Sequence, residues 1–281
     1  MRLTNRAAIL IACFILRPTV CRVYASGLED SSNEVTAVSS KVFNGYRRSR
    51  LADGSFQPET YGFAIGGLYN RRTVGLENSP PTSTSDSTVD ALSFSAIAKV
   101  IEGPLKAEKY IPSSDPKTAN LLIVVFWGRT IGTNAFAQSG MNQTIVRGDQ
   151  DRIAIENAHL LGFDSEDAFQ SGIQDSTRAM SDIRREMNSG VLDAISEDRY
   201  FVVLQTFDLQ HDLKQGKMQL VWETRFSLTQ RGHDFGKDLP RMTQIAAKYF
   251  GLDSHGLLMK PIPQGSVKIG ELKSIGDVPT K

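Results

Sequence analysis

A chain of 281 residues with 40% apolar content is long enough for one large or two small domains with a real core. Its 32 basic and 31 acidic residues nearly cancel, which gives no reason to expect nucleic acid as a partner. The two cysteines, Cys13 and Cys21, both lie within the first 25 residues, so a chain trimmed there forms no disulfide.

Met1–Arg6 is a short basic head, Ala7–Leu16 is an apolar run, and Val23-Tyr24-Ala25 ends as a signal-peptidase site does. The run spans only ~15 Å as a helix, about half of a bilayer core. Residues 1–25 are therefore expected to be a removed signal peptide, leaving a mature chain with no transmembrane helix and slightly acidic. An exported chain without cysteine fits the bacterial periplasm, or secretion. Cys21 raises lipidation as an alternative, but Pro18-Thr19-Val20 lacks the leucine and small residues such a site needs.

Residues 26–59 are polar and broken by Gly, Ser, Asn and Pro, and read as an irregular arm containing the run Arg47-Arg48-Ser49-Arg50. Such a run reads first as a solvated face, with phosphate or lipid-headgroup contact as the alternative. Tyr61–Tyr69 is a strand candidate whose Tyr61, Phe63, Ile65 and Leu68 form an apolar face, with Gly66-Gly67 marking a bulge or close backbone approach. A long loop with Pro80-Pro81 follows.

A helix is expected from Ser87 or Thr88, with Val89, Leu92, Ala96, Ile97, Val100 and Ile101 as its stripe, ended or kinked at Gly103-Pro104. Ala119–Gly128 (ANLLIVVFWG) is a strand buried on both faces at the centre of a sheet. Strand, helix and strand make a βαβ unit. Gly128–Gln150 reads as an exposed loop, Arg152–Leu161 and more weakly Ala168–Met187 as helices.

Tyr200–Leu209 and Met218–Leu228 read as an antiparallel hairpin joined by a Lys-Gln-Gly-Lys turn. In the second strand Met218, Leu220, Trp222, Thr224, Phe226 and Leu228 face the core, and Gln219, Glu223, Arg225 and Ser227 face water. Asp234–Phe250 is a helix with Pro240 tolerable only in its first turn and Gly251 as its stop. The expectation is an α/β (α+β) sandwich: a βαβ unit, a hairpin and a C-terminal helix, in a mixed sheet with helices packed on it. Residues 60–260 form a single domain with an insertion at 128–190, and 261–281 form a tail that adds an edge strand or stays loose.

Ile97–Trp127 (IAKVIEGPLKAEKYIPSSDPKTANLLIVVFW) and, more loosely, Tyr200–Gly251 resemble the core of an uncharacterised bacterial envelope family of periplasmic proteins or lipoproteins with a small α/β sandwich. The similar stretches cover about a third of the chain. The resemblance implies fold and compartment, and carries no agreed activity.

Catalytic signatures are lacking. His159, His211, His233 and His255 match no metal-ligand spacing, although His211-Asp212 and His233-Asp234 would make a site if their loops met. No G-x-S-x-G elbow or phosphate-binding glycine spacing occurs, so neither a catalytic residue, a metal nor a cofactor is nominated. The strand ends nominate a ligand site instead. If Tyr61–Tyr69 and Ala119–Trp127 are parallel neighbours, their carboxyl ends bring Arg71 and Arg72 beside Trp127 and Arg129. Arginines beside an aromatic ring hold an anionic group by paired hydrogen bonds and stacking, whereas Trp127 as a core plug leaves three solvated arginines. The sequence thus points to a non-catalytic exported protein that binds another envelope protein or an anionic ligand. A hydrolase with unidentified carboxylates and a small anionic-ligand carrier are the alternatives.

Overall fold

The computed structural model describes residues 35–69, 84, 86–133, 143–162 and 189–262. All of them fall in one compact unit, Asn33–Lys281. The expected signal peptide, Arg71 and Arg72, the Ala168–Met187 helix and residues 263–281 lie outside the described residues.

The apolar run at residue 121 forms β4 (Leu121–Arg129) in the interior of a seven-stranded mixed sheet. The other strands are β1 (Val35–Val42), β2 (Glu59–Tyr69), β3 (Tyr110–Pro112), β5 (Arg199–Asp208), β6 (Leu220–Thr229) and β7 (Leu258–Pro261). Their order is β3-β2-β4-β5-β6-β1-β7. β2 runs parallel to β3 and β4, and every other pairing is antiparallel. Among the described residues six helices accompany this sheet: α1 (Ser87–Asp90), α2 (Phe94–Ala107), α3 (Gln143–Leu160), α4 (Ser189–Ser196), α5 (Leu209–Gln215) and α6 (Phe235–Ala247).

Side chains alternate across a strand, so each strand serves two faces. On one face Leu121, Ile123, Val125 and Trp127 of β4 and Trp222, Phe226 and Leu228 of β6 meet Ile97, Ile101 and Leu105 of α2 and Phe235, Leu239 and Met242 of α6. The other face of β4 is half-buried rather than sealed. The expected bulge is present: the β2 register shifts between Ile65 and Gly67 against β4. A Cβ on Gly66 would stand 2.6 Å from the Phe126 ring, so glycine lets that ring lie against the strand. Past the pairing of β3 with Glu59–Tyr61, Ile65 turns outward and is 63% exposed, not the core residue expected.

The largest correction concerns β6. Glu223, Arg225 and Ser227 do not face water; all three are buried. A second core built from Ala154, Ile155 and Ala158 of α3, Val191, Ala194 and Ile195 of α4, and Ala37 of β1 closes over that face. Sequence alternation correctly divides Trp222–Leu228 into two faces, whereas Met218, expected in the core, precedes β6 and is exposed, and only tertiary packing decides whether the polar face meets solvent. Arg225 Nε donates to Glu223 Oε1 (2.7 Å), Gln205 Nε2 donates to Glu223 Oε2 (2.7 Å), and Arg225 reaches the His159 carbonyl in α3.

Other differences are local. The supposed irregular arm contains β1, an interior strand whose buried Thr36, Ser39 and Ser40 disguise it as polar. The single helix expected from residue 87 is two, capped separately by Asp86 and Ser93. Pro104 neither ends nor breaks α2, because fully buried Leu105 anchors the last turn. Pro240 likewise lies beyond the first turn of α6, between buried Leu239 and Met242. The start of α3 occupies residues 143–150, read as loop, and the hairpin turn carries α5. α6 stops earlier than expected, at Ala247 with Lys248 as its cap, and Gly251 lies in the turn beyond it, at φ +70, where a Cβ would stand 2.3 Å from the Tyr110 hydroxyl.

Candidate functional site

β2 and β4 are parallel neighbours up to the pair Tyr69 and Gly128, so the nominated strand ends do lie side by side. Trp127 is 5% exposed and stacks on Phe94 of α2, with ring centroids 6.5 Å apart and planes 25° off parallel. Its ring plugs the core, and its Nε1 finds no hydrogen-bond acceptor among the described residues. Arg129 is half-buried at the last position of β4, directly opposite Tyr200 of β5. The strand end therefore gathers Trp127 and Arg129, but it turns the tryptophan inward.

A polar network absent from the sequence reading occupies the same end. Asp86 caps α1, and its Oδ1 accepts from the Thr88 amide (2.8 Å) and hydroxyl (2.7 Å). Its Oδ2 accepts from the Tyr200 hydroxyl (3.0 Å) and from the Gln230 amide group. The Phe235 amide donates to the Thr88 hydroxyl (3.3 Å), which joins α1 to the start of α6. Burial opposes ionisation of Asp86. The hydrogen bonds from Thr88 and Tyr200 outweigh it and hold the carboxyl below its usual range. Burial pushes the Tyr200 phenol upward. The helix start was visible, with Ser87 or Thr88 expected as its cap; the cap is Asp86, and 114 and 144 residues separate it from Tyr200 and Gln230, beyond any local motif.

The arginine run of residues 47–50 separates by environment. Arg48 is buried, with its guanidinium between the rings of Phe56 (3.9 Å) and Tyr110 (4.3 Å), and it reaches the Glu108 carbonyl. Glu59 lies 3.7 Å from it and accepts from the Tyr46 hydroxyl at 2.6 Å. Burial raises the Glu59 carboxyl against the Tyr46 hydrogen bond and the Arg48 charge. The same burial raises the phenols of Tyr46 and Tyr110. Arg48 is thus a structural cation, while Arg47 and Arg50 are exposed. On the other half of the sheet, burial pulls Arg199 down to about 10 against Glu197, and the guanidinium donates to the Ser227 hydroxyl and carbonyl.

The two histidine loops do not meet. His211 lies in α5, before β6 begins, whereas His233 follows the far end of β6 and pairs with Asp238 at 3.1 Å. No group of three or more His, Cys, Asp or Glu among the described residues is placed to hold a metal ion. No helix among them is long and apolar enough to cross a membrane.

No family model matches the sequence, and no curated protein matches it. Among solved structures, the chain is similar to the PelC dodecamer from Paraburkholderia phytofirmans, with a TM-score of 0.32 and 6% identity over 78% of this chain and 99% of that one. It is also similar to a DUF4136 family protein from Bacteroides thetaiotaomicron, with a TM-score of 0.33 and 10% identity over 75% and 95% of the two chains. Neither similarity is close enough to place the chain in a family or to assign it an activity.

Proposed function

We propose that this chain is a non-catalytic binding protein of the bacterial cell envelope, exported and cleaved after Ala25, which holds an anionic group of an envelope component at the carboxyl end of β2 and β4. One observation carries the reading. The Asp86 carboxylate at that end spends both oxygens on Thr88, Tyr200 and Gln230, and is held ionised. A carboxylate so engaged positions its neighbours and has no proton to deliver. It makes Tyr200 a fixed point, and Arg129 stands directly across from it. A guanidinium on a rigid strand end loses little freedom on binding and offers a carboxylate or phosphate paired, charge-assisted bonds.

The test is a titration of the partner recovered by pull-down from envelope fractions, against wild type and Arg71→Ala/Arg129→Ala. The double variant should bind more weakly at unchanged melting temperature, because Arg129 is only half-buried and a solvent-screened arginine adds little to stability. Raising salt from 0.1 M to 1 M should weaken the wild-type complex as the Debye length falls from ~10 to ~3 Å. Equal affinity of the two proteins overturns the site. Intact mass of the exported protein tests the cleavage, and retained Met1 or a lipid on Cys21 overturns it.

A further inference from the structure

The opposite end of the sheet carries a different surface. The amino ends of β2, β3, β4 and β6 and the carboxyl ends of β1 and β5 all emerge there, as the strand directions require. The connections at this end hold three of the most exposed large apolar side chains: Leu51 (47%), Leu213 (60%) and Met218 (54%). Each has exposed cations beside it in sequence: Arg50 next to Leu51, and Lys214 and Lys217 around Leu213 and Met218. Exposed Lys109 and Lys117 stand on the adjoining turns.

These connections are fixed rather than loose. In residues 49–57 the Gln57 amide donates to Ser49 (2.9 Å), the Leu51 amide to Ser55 (2.8 Å), and Arg50 stacks on Phe56 at 4.2 Å. Buried Arg48 pins that loop to Tyr110, and Asn44 Nδ2 ties it to the Leu220 carbonyl at 2.8 Å. The Gln210 side chain docks α5 on the Ala119 carbonyl at 2.6 Å.

The acids of this end are turned to their own backbone. Asp53 accepts from the Ser55 amide and hydroxyl, Asp115 from the Lys117 amide, Asp208 from the His211 amide and Asp212 from the Gln219 amide. Glu59 faces Arg48 and Tyr46, and Glu108 is half-buried. Asp53 and Asp115 are themselves exposed, but the exposed cations Arg50, Lys109, Lys117, Lys214 and Lys217 outnumber them.

We propose that this end of the sheet docks on the anionic phospholipid headgroups of a bilayer, with Leu51, Leu213 and Met218 entering the interfacial layer and Arg50, Lys214 and Lys217 meeting phosphates. Apolar tips alternating with cations across several strand ends suit a laterally continuous surface. An anionic headgroup layer over an apolar interior meets the cations and the three apolar tips together. The order already present in the loops is not lost again on binding. The surface lies at the opposite strand ends from Arg129, so it goes beyond the anionic-group reading and fails independently of it.

The experiment is co-sedimentation of the purified full chain with vesicles of phosphatidylcholine and phosphatidylglycerol (3:1) and with phosphatidylcholine alone. Wild type should pellet with the anionic vesicles and be released by 1 M salt. Each lysine or arginine near such a surface contributes roughly a fivefold gain, so Lys214→Ala/Lys217→Ala should weaken binding about thirtyfold. Leu213→Ser/Met218→Ser should weaken it as well. Arg231→Ala/Lys237→Ala, which removes the same charge at the opposite strand ends, should change nothing. Three results overturn the proposal: equal binding to both vesicle types, equal loss in the opposite-end control, or vesicle-independent capture of an acidic protein that needs Lys214 and Lys217.

Discussion

Trp222 is fully buried on the helix-covered face of β6. Its ring stacks on Phe250 with centroids 5.9 Å apart and planes 16° off parallel, and it leans on Tyr110 at 6.0 Å. An aromatic side chain of this size buries roughly 150–250 Å², which at about 25 cal/mol per Å² is worth ~4–6 kcal/mol. Alanine keeps the first carbon, and the core relaxes partly into the space, so Trp222→Ala should cost about 3–5 kcal/mol. For a domain of this length that corresponds to a fall in melting temperature of roughly 6–20 °C. Trp222→Phe separates packing from polarity. The indole Nε1 has no hydrogen-bond partner among the described residues, so phenylalanine keeps most of the stacking and deletes an unsatisfied donor. It should cost less than half of the alanine penalty. The assay is urea unfolding followed by far-ultraviolet circular dichroism, in which a true stability change moves the midpoint and not the slope. Of the chain's two tryptophans, Trp222→Phe leaves Trp127 as the sole fluorescence probe of the core over α2. A Trp222→Ala protein melting within about two degrees of wild type would refute the packing assigned to β6.

Glu223→Leu should cost ~3–5 kcal/mol in urea unfolding, since it strands buried Arg225 without its counter-charge, whereas Glu223→Leu/Arg225→Met should recover most of that loss. Equal destabilisation by both would show that the pair is not coupled. Gly251→Ala puts an L residue at φ +70 and a Cβ 2.3 Å from the Tyr110 hydroxyl, so it should exceed the ~1–2 kcal/mol typical of the left-handed region alone. A thermal melt within about 2 °C of wild type would count against that close approach. Asp86 has a folded-state carboxyl held below its unfolded value, so its stabilisation is complete above the unfolded value and is lost as pH falls through the folded one. Asp86→Asn should therefore flatten the acid side of the stability–pH curve below about pH 4, and an unchanged curve would remove Asp86 from the latch.

Elements with strong local chemistry were legible before folding. The run Leu121–Trp127, the Gly66-Gly67 bulge and each strand of the pair Tyr200–Leu209 and Met218–Leu228 announce themselves within a dozen residues. β1 was not legible, because its Ser39 and Ser40 are buried through bonds to remote partners, and Thr36 is buried with a hydroxyl that finds no partner among the described residues. Ser40 Oγ meets Thr224 Oγ1 at 2.7 Å, and Ser39 Oγ donates to the Gly162 carbonyl at 3.2 Å. Of the nominated ligand residues that are described, Trp127 and Arg129 lie near one strand end, but the indole turns to Phe94.

Sequence alone determined the mixed α/β sandwich, since the period of apolar residues sets which segments become strands and helices and which side of each is oily. Tertiary structure alone decided where water stops. The polar side of β6 is dry because α3 and α4 lie over it, Arg48 is a core cation because two rings close on it, and the Asp86 latch exists because the chain brings residues 86, 200 and 230 to one sheet end. Periodicity is a property of neighbours along the chain, whereas desolvation and long-range hydrogen bonding depend on which surface is laid over another.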